Sequence, residues 1–157
     1  MDFTEVEIIR FFKCLNANNV SYILVGGFAV NVHGFNRSTG DIDLWLADTE
    51  ENRKPFVKAL TEYGINGAEV FHTLPFIAGY TEIVLDNGFV VDVMADLQFF
   101  KQDKFNDSVQ LAKEFKLADG VSIRVLHLNT LIEEKENSKR EKDKLDAKEL
   151  KRINKLL

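Results

Sequence analysis

The sequence predicts an α/β (α+β) domain, a mixed β-sheet flanked by helices. Three observations carry that prediction. Short runs of strand length and character recur along the chain, at residues 22–25, 41–46, 81–86, 89–94 and 121–126. Stretches with apolar residues at helical spacing lie between them. The two kinds alternate as α-β-α-β-α-β-β-α-β-α instead of segregating into blocks, which favours helices packed against one sheet.

Residues 3–18 place Val6, Ile8, Ile9, Phe11, Phe12 and Leu15 on one helical face, and Asn18-Asn19 ends the helix. Tyr22-Ile23-Leu24-Val25 reads as a buried strand stopped by Gly26-Gly27. Residues 28–34 form a short helix closed by Gly34. Residues 41–46 (DIDLWL) alternate acidic and apolar before turning wholly apolar, as a second strand would. Asp48 is placed to cap a helix reaching about Tyr63, with Gly64 beyond it. Pro55 within that helix predicts an irregular first turn, or a start at the proline. Residues 65–80 carry no clear pattern. The runs 81–86 and 89–94 flank Asn87-Gly88, which predicts a hairpin with a two-residue turn. Residues 105–117 read as a helix, and 121–126 as a strand after Asp119-Gly120. Thr130-Leu131-Ile132-Glu133 has the spacing of a capping box, so a long charged helix over 129–157 is predicted to pack on the core. With no Gly/Ser/Pro linker or repeat, residues 1–157 are expected to form a single domain.

The 157 residues suit one hydrophobic core, with 45% apolar residues, thirteen Phe and one Trp to fill it. No apolar run has the length of a membrane span, and residues 1–20 lack the pattern of a secretory leader. The single cysteine, Cys14, cannot form an internal disulfide, which fits a cytoplasmic protein. It lies in the first helical pattern and reads as a small core residue. One Cys and three scattered His give no zinc spacing, and His33, on a short buried helix, reads as a hydrogen-bonded core residue. A net charge of −5 argues against a general nucleic-acid binder, which normally needs a basic excess. It leaves room for a nucleotide held by a few local cations and metal ions.

Three features carry chemistry. Gly26-Gly27 stands between a strand and a helix, where missing side chains let backbone N–H groups approach an anion. Asp41-Ile42-Asp43 puts two carboxylates on one side of a strand, and their repulsion calls for a cation. Asp92 sits inside the apolar run Val90-Val91-Asp92-Val93-Met94, a costly place for a carboxylate unless it is paired, hydrogen-bonded or metal-bound. A tight turn accounts for the glycines alone, a solvated strand edge for the acidic pair alone, and a salt bridge for Asp92 alone. Their order and spacing is what joins them.

A strand, Gly-Gly, a helix, a paired Asp-x-Asp thirteen residues on, and a distal Asp on a later strand resemble the DNA polymerase β-like nucleotidyltransferase superfamily. More narrowly, Leu24 to Asp43, with His33-Gly34, Arg37 and Thr39 before Asp41-Ile42-Asp43, looks like the small bacterial nucleotidyltransferases grouped with the AbiEii-type toxins. Leu131-Ile132, Lys135, Arg140, Lys142-Asp143 and Asp146 match that family's later residues, so the resemblance spans roughly residues 20–150. The family often has a Gly and a Pro around the Arg. Ser138-Lys139-Arg140-Glu141 has neither, which predicts an unbroken helix with Lys135, Lys139, Lys142 and Asp146 on one face.

The resemblance implies an enzyme that moves a nucleoside monophosphate from an NTP to a protein, tRNA or small-molecule acceptor and releases pyrophosphate, in a toxin–antitoxin or phage-defence setting. It implies two Mg²⁺ ions, with Mn²⁺ as the alternative, held by Asp41, Asp43 and Asp92, where Asp92 could instead act as general base. It implies that Gly26 and Gly27 cradle phosphates, that Arg37 offsets phosphate charge, that Thr39 supports the loop or contacts phosphate, and that Lys135 contacts the nucleotide. A non-catalytic nucleotide-binding or antitoxin-like module is the competing class. A lincosamide-type antibiotic nucleotidyltransferase ranks lower, because the His-Gly and Arg-x-Thr stretch resembles the other family better. Larger relatives add a helical domain, so a second copy in a homodimer or a cognate partner protein is expected to complete the cleft.

Overall fold

The computed structural model describes residues 5–156. The first helix, α1 (Val6–Ala17), buries Ile8, Ile9, Phe11, Phe12 and Leu15 as the spacing predicts. It stops where Asn19 turns to a φ of 54°. Residues 3–4, also expected to be helical, lie outside the described residues. There follow β1 (Tyr22–Val25), α2 (Gly26–Val32), β2 (Ile42–Leu46), α3 (Glu50–Tyr63), β3 (Glu82–Val84), β4 (Val90–Met94), α4 (Phe105–Leu111), β5 (Lys113–Lys116), β6 (Ser122–Val125), α5 (Leu128–Glu136) and α6 (Glu141–Ile153).

The strands form one sheet in the order β3-β4-β2-β1-β6-β5. It is mixed. The pairs β1–β6 and β2–β4 are parallel, and β1–β2, β3–β4 and β5–β6 are antiparallel. The central strands are apolar on both sides, as strands covered on both faces must be: all four residues of β1 are buried, and so are Ile42, Leu44, Trp45 and Leu46 of β2. Trp45 is fully buried, stands edge-on to Phe105 at 5.2 Å, and donates its indole N–H to the Ala95 carbonyl. The helix α1 packs on α3, and α5 on α6. Among the described residues no helix is long and apolar enough to cross a membrane.

Four local expectations change. The cap of α3 is Thr49, whose hydroxyl accepts from Asn52 N–H, while Asp48 pairs instead with Arg53 at 2.7 Å. Pro55 falls in the second turn and the helix runs through it, starting at Glu50. In the β3–β4 hairpin, Leu85 N–H bonds the Phe89 carbonyl and Gly88 N–H bonds the Leu85 carbonyl, and only Gly88 is left-handed. That is a three-residue loop with a glycine bulge, not a two-residue turn. The expected helix over 105–117 ends at Leu111, and Lys113–Lys116 becomes edge strand β5 because β6 offers it a pairing partner.

The C-terminal helix is two helices. Thr130 lies inside α5, and the cap is His127, whose Nδ1 accepts from Asn129 N–H. Residues 137–140 break the run without glycine or proline. Asn137 bonds back to the Glu133 carbonyl, and the Ser138 hydroxyl accepts from Arg140 N–H while donating to Asp143 Oδ2 at 2.6 Å. Side chains that bond their own backbone compete with the helix in this way. The expected common face of Lys135, Lys139, Lys142 and Asp146 is therefore absent. Lys139 and Lys142 are exposed, and Asp143 and Asp146 point inward.

Candidate functional site

Register brings the two strand carboxylates together. Asp43 of β2 pairs with Asp92 of β4, and in the same row Val25 of β1 lies beyond Asp43 and Glu82 of β3 beyond Asp92. Residues opposite one another share a face of the sheet, so both carboxylates project to one side. Gly26 stands at the end of β1 directly over Asp43. It takes a φ of 70°, and a Cβ built there would run into Asp43 Oδ2. The glycine is thus required twice, once by backbone conformation and once by the close approach of Asp43. A Gly26→Ala variant will lose about 2 kcal/mol or more in urea unfolding, from the left-handed backbone and the displaced carboxylate together. A midpoint equal to wild type would show that the turn can relax.

Gly27 has a comparable role behind the turn. Its Cβ would collide with Thr39 Oγ1 and stand 3.3 Å from a terminal nitrogen of Arg37. Thr39 and Arg37 therefore back the glycine turn. Arg37 also makes a two-pronged ion pair with Asp146 of α6, both contacts at 2.7 Å, and donates to the Ser38 carbonyl.

The electrostatics are those of crowded, partly buried acids. Burial raises the Asp43 carboxyl to about 7, and the neighbouring charges of Asp92 and Asp41 add to it, while Lys135 and Arg140 pull it back. Burial also raises Asp92, against the Gly79 N–H that donates to its Oδ2 at 2.8 Å. Asp92 Oδ1 is buried with no hydrogen-bond partner among the described residues. Asp41 precedes β2 and is exposed, near enough for its charge to act on both.

Asp43, Asp92 and Gly26 line a cleft of about 660 Å³. Another wall is the α5–α6 hairpin, with Lys135 of α5, Ser138 and Arg140 of the connection and Asp143 of α6. Apolar side chains such as Met94, Leu97 and Leu131 lie between. Of the residues expected from sequence, Asp43, Asp92, Gly26 and Lys135 meet in this cleft. Asp41 is exposed and does not line the cleft, and Gly27, Arg37 and Thr39 form the layer behind the turn. His33 is buried with Nε2 at 2.7 Å from the Leu126 carbonyl, a core histidine as expected.

Gly79 and Glu134 of the cleft were not marked in the sequence, and Asp143 was named there only through the family match. Gly79 comes from the unpatterned stretch 65–80. Glu134 lines the cleft and accepts from Phe99 and Phe100 N–H, fixing the loop that carries Lys101. Asp143 is held below the usual carboxylate range: burial works against its charge, but the Ser138 hydroxyl and Lys135 outweigh it. Among the described residues no set of three His, Cys, Asp or Glu side chains stands ready to hold a metal ion alone. Mg²⁺ does not need such a cage. It takes one or two carboxylates and completes its shell with substrate phosphates and water, which fits Asp43 beside an unpartnered Asp92 oxygen.

No protein-family model matches the chain, and no curated protein matches it. Among solved structures it is similar to the crystal structure of an antigenic nucleotidyltransferase-like protein from Paracoccidioides brasiliensis. The likeness covers 96% of this chain and 78% of that one, with a TM-score of 0.53 at 15% identity. At that identity the likeness speaks to fold alone, and the six-stranded mixed sheet with its helices is a nucleotidyltransferase-like fold.

Proposed function

We propose that this chain is a nucleotidyltransferase that moves a nucleoside monophosphate from an NTP to an acceptor hydroxyl. The observation that carries the reading is Asp43 opposite Asp92 beneath Gly26, one carboxyl raised to about 7 and the other with a buried oxygen that has no hydrogen-bond partner among the described residues. Such acids are costly unless a cation or a proton transfer uses them. The nucleotidyltransferase-like fold supports the same reading. Asp43, with Asp41 before it on the chain, would hold Mg²⁺ or Mn²⁺, which when bound supplies charge neutralisation on the triphosphate and a more acidic acceptor hydroxyl, and Asp92 is left as the base in place of a ligand.

In the reaction, the acceptor oxygen bonds to the α-phosphorus. The bond from that phosphorus to the bridging oxygen breaks, and pyrophosphate leaves with the electron pair. We assign Asp92 to take the hydroxyl proton, since its raised carboxyl is suited to do so. Gly26 and Gly27 receive phosphate oxygens at the turn, and Lys135 and Arg140 face the nucleotide from the α5–α6 wall. Arg37 and Thr39 we assign to supporting the turn. The acceptor is a protein, a tRNA or a small molecule. The resemblance to AbiEii-type toxins puts protein and tRNA first, with a second copy or a cognate protein completing the acceptor side.

The test is incubation with α-labelled NTPs, Mg²⁺ and cell extract. The wild type labels an acceptor and releases pyrophosphate, and Asp41→Ala with Asp43→Ala lowers the rate at least about 1,000-fold. Nucleotide binding without pyrophosphate release would make the chain a binding module instead. Failure to bind NTP or metal at millimolar concentration would overturn the site.

A further inference from the structure

We infer that Asp146 is a positioning residue for nucleotide transfer, holding Lys135 and Arg37 as one fixed unit between the helical hairpin and the Gly26-Gly27 turn. The inference rests on the transferase reading above. Asp146 is 1% exposed. A carboxylate so buried is tolerated only when both oxygens are occupied, and here they are. Oδ1 accepts from Arg37 Nε, and Oδ2 accepts from Arg37 Nη2 and pairs with Lys135 Nζ at 3.2 Å.

The two cations are used differently. The Arg37 guanidinium gives Nε and Nη2 to Asp146 and Nη1 to the Ser38 carbonyl, and that last nitrogen lies against Gly27. Each nitrogen holds the protein by one proton, and Arg37, unlike Lys135, does not line the cleft, so Arg37 is a strut for the turn. The Lys135 ammonium has three protons. Asp143 Oδ1 accepts one of them at 2.9 Å, Asp146 Oδ2 stands 3.2 Å away as an ion-pair partner, and Lys135 lines the cleft. A proton remains for a ligand there. Arg37, Lys135 and Arg140, which pairs with Asp143 at 3.9 Å, outnumber the two carboxylates by one. The cluster thus offers a triphosphate one uncancelled positive charge and a donor in a fixed place, which Asp143 and Asp146 hold together. The helix α6 is also tied down elsewhere: Asn154 donates to the His33 carbonyl, and Ile153 packs against Gly34.

Two variants and two readouts test this. In Asp146→Asn, kcat falls about 100-fold, because a slightly misplaced donor is costly in the transition state, while KM for the NTP stays within about threefold. Acylation of Lys135 by acetic anhydride, followed by mass spectrometry, speeds up at least about tenfold once the ammonium is released. Should Asp146→Asn not fold, the pair Arg37→Met with Asp146→Leu removes both charges and melts near the wild-type temperature, as apolar replacements of buried ion pairs do. It still shows the kcat loss and the fast acylation. Wild-type kcat in the double variant, or unchanged Lys135 acylation in either, would overturn the proposal. A wild type that transfers nothing refutes the transferase reading instead, and the acylation contrast then decides alone whether Asp146 positions Lys135.

Discussion

Asp43→Asn will stabilise the metal-free protein by about 3–4 kcal/mol at pH 8 and by less than about 1 kcal/mol near pH 4. The sign follows from where the proton sits. In the unfolded chain Asp43 ionises at its ordinary value of 3.8, and in the folded chain at about 7. Between those values the folded state holds a proton that the unfolded state has lost, so stability drains away as pH rises from about 4 to 7 and is constant above. Asparagine has the same shape and no charge to bury, and among the described residues no hydrogen bond to the carboxylate is lost with it. Urea unfolding of both proteins with a chelator present, at pH 4 and pH 8, reads the difference directly. A gap that does not widen with pH would mean that solvent reaches the carboxylate. Adding Mg²⁺ at pH 8 should raise the melting temperature of the wild type and leave the variant almost unmoved.

Trp45→Ala has the opposite sign and a similar size, a loss of about 4 kcal/mol. Trp45 is fully buried two residues along β2 from Asp43, opposite Met94 of the cleft wall. Its edge-on contact with Phe105 is lost, and the void cannot close against two paired strands. The Ala95 carbonyl would still receive the Gln102 amide at 2.6 Å, so the cost is mainly cavity and not an orphaned acceptor. Trp45→Phe should therefore cost clearly less. Equilibrium denaturation of the pair checks this, and equal losses would shift the blame to the indole hydrogen bond.

Much of the fold was legible because strand and helix patterns differ in period. The α1 spacing, the apolar β1 and the Asn-Gly hairpin needed no tertiary information beyond themselves. The misses have physical causes. Lys113–Lys116 has the polar look of a helix end, and only pairing with β6 makes it a strand. The break at Ser138 depends on a bond to Asp143 that composition does not announce. For the site, Gly26, Asp43 and Asp92 were readable as an ordered set. Asp146 was harder. Asp143, Asp146, Ala147 and Leu150 form the buried i, i+3, i+4, i+7 face of α6, but a search for apolar residues passes over a face that begins with two acids. Gly79 gave no signal, since it acts through its backbone.

The pairing of β2 with β4 has a consequence for how the molecule is assembled. Gly26 opens the short helix that links β1 to β2, and its contact with Asp43 of β2 closes early in chain growth and folding. Asp92 joins them only after about 50 further residues have been gathered in, because β4 lies next to β2 in the sheet but far from it in the chain. A species with only the first two strands docked already presents the glycine turn and the first acidic pair, yet lacks the third carboxylate. The proposed site is thereby incomplete until β4 pairs with β2, and hydrogen exchange at β4 becomes a clock for its completion.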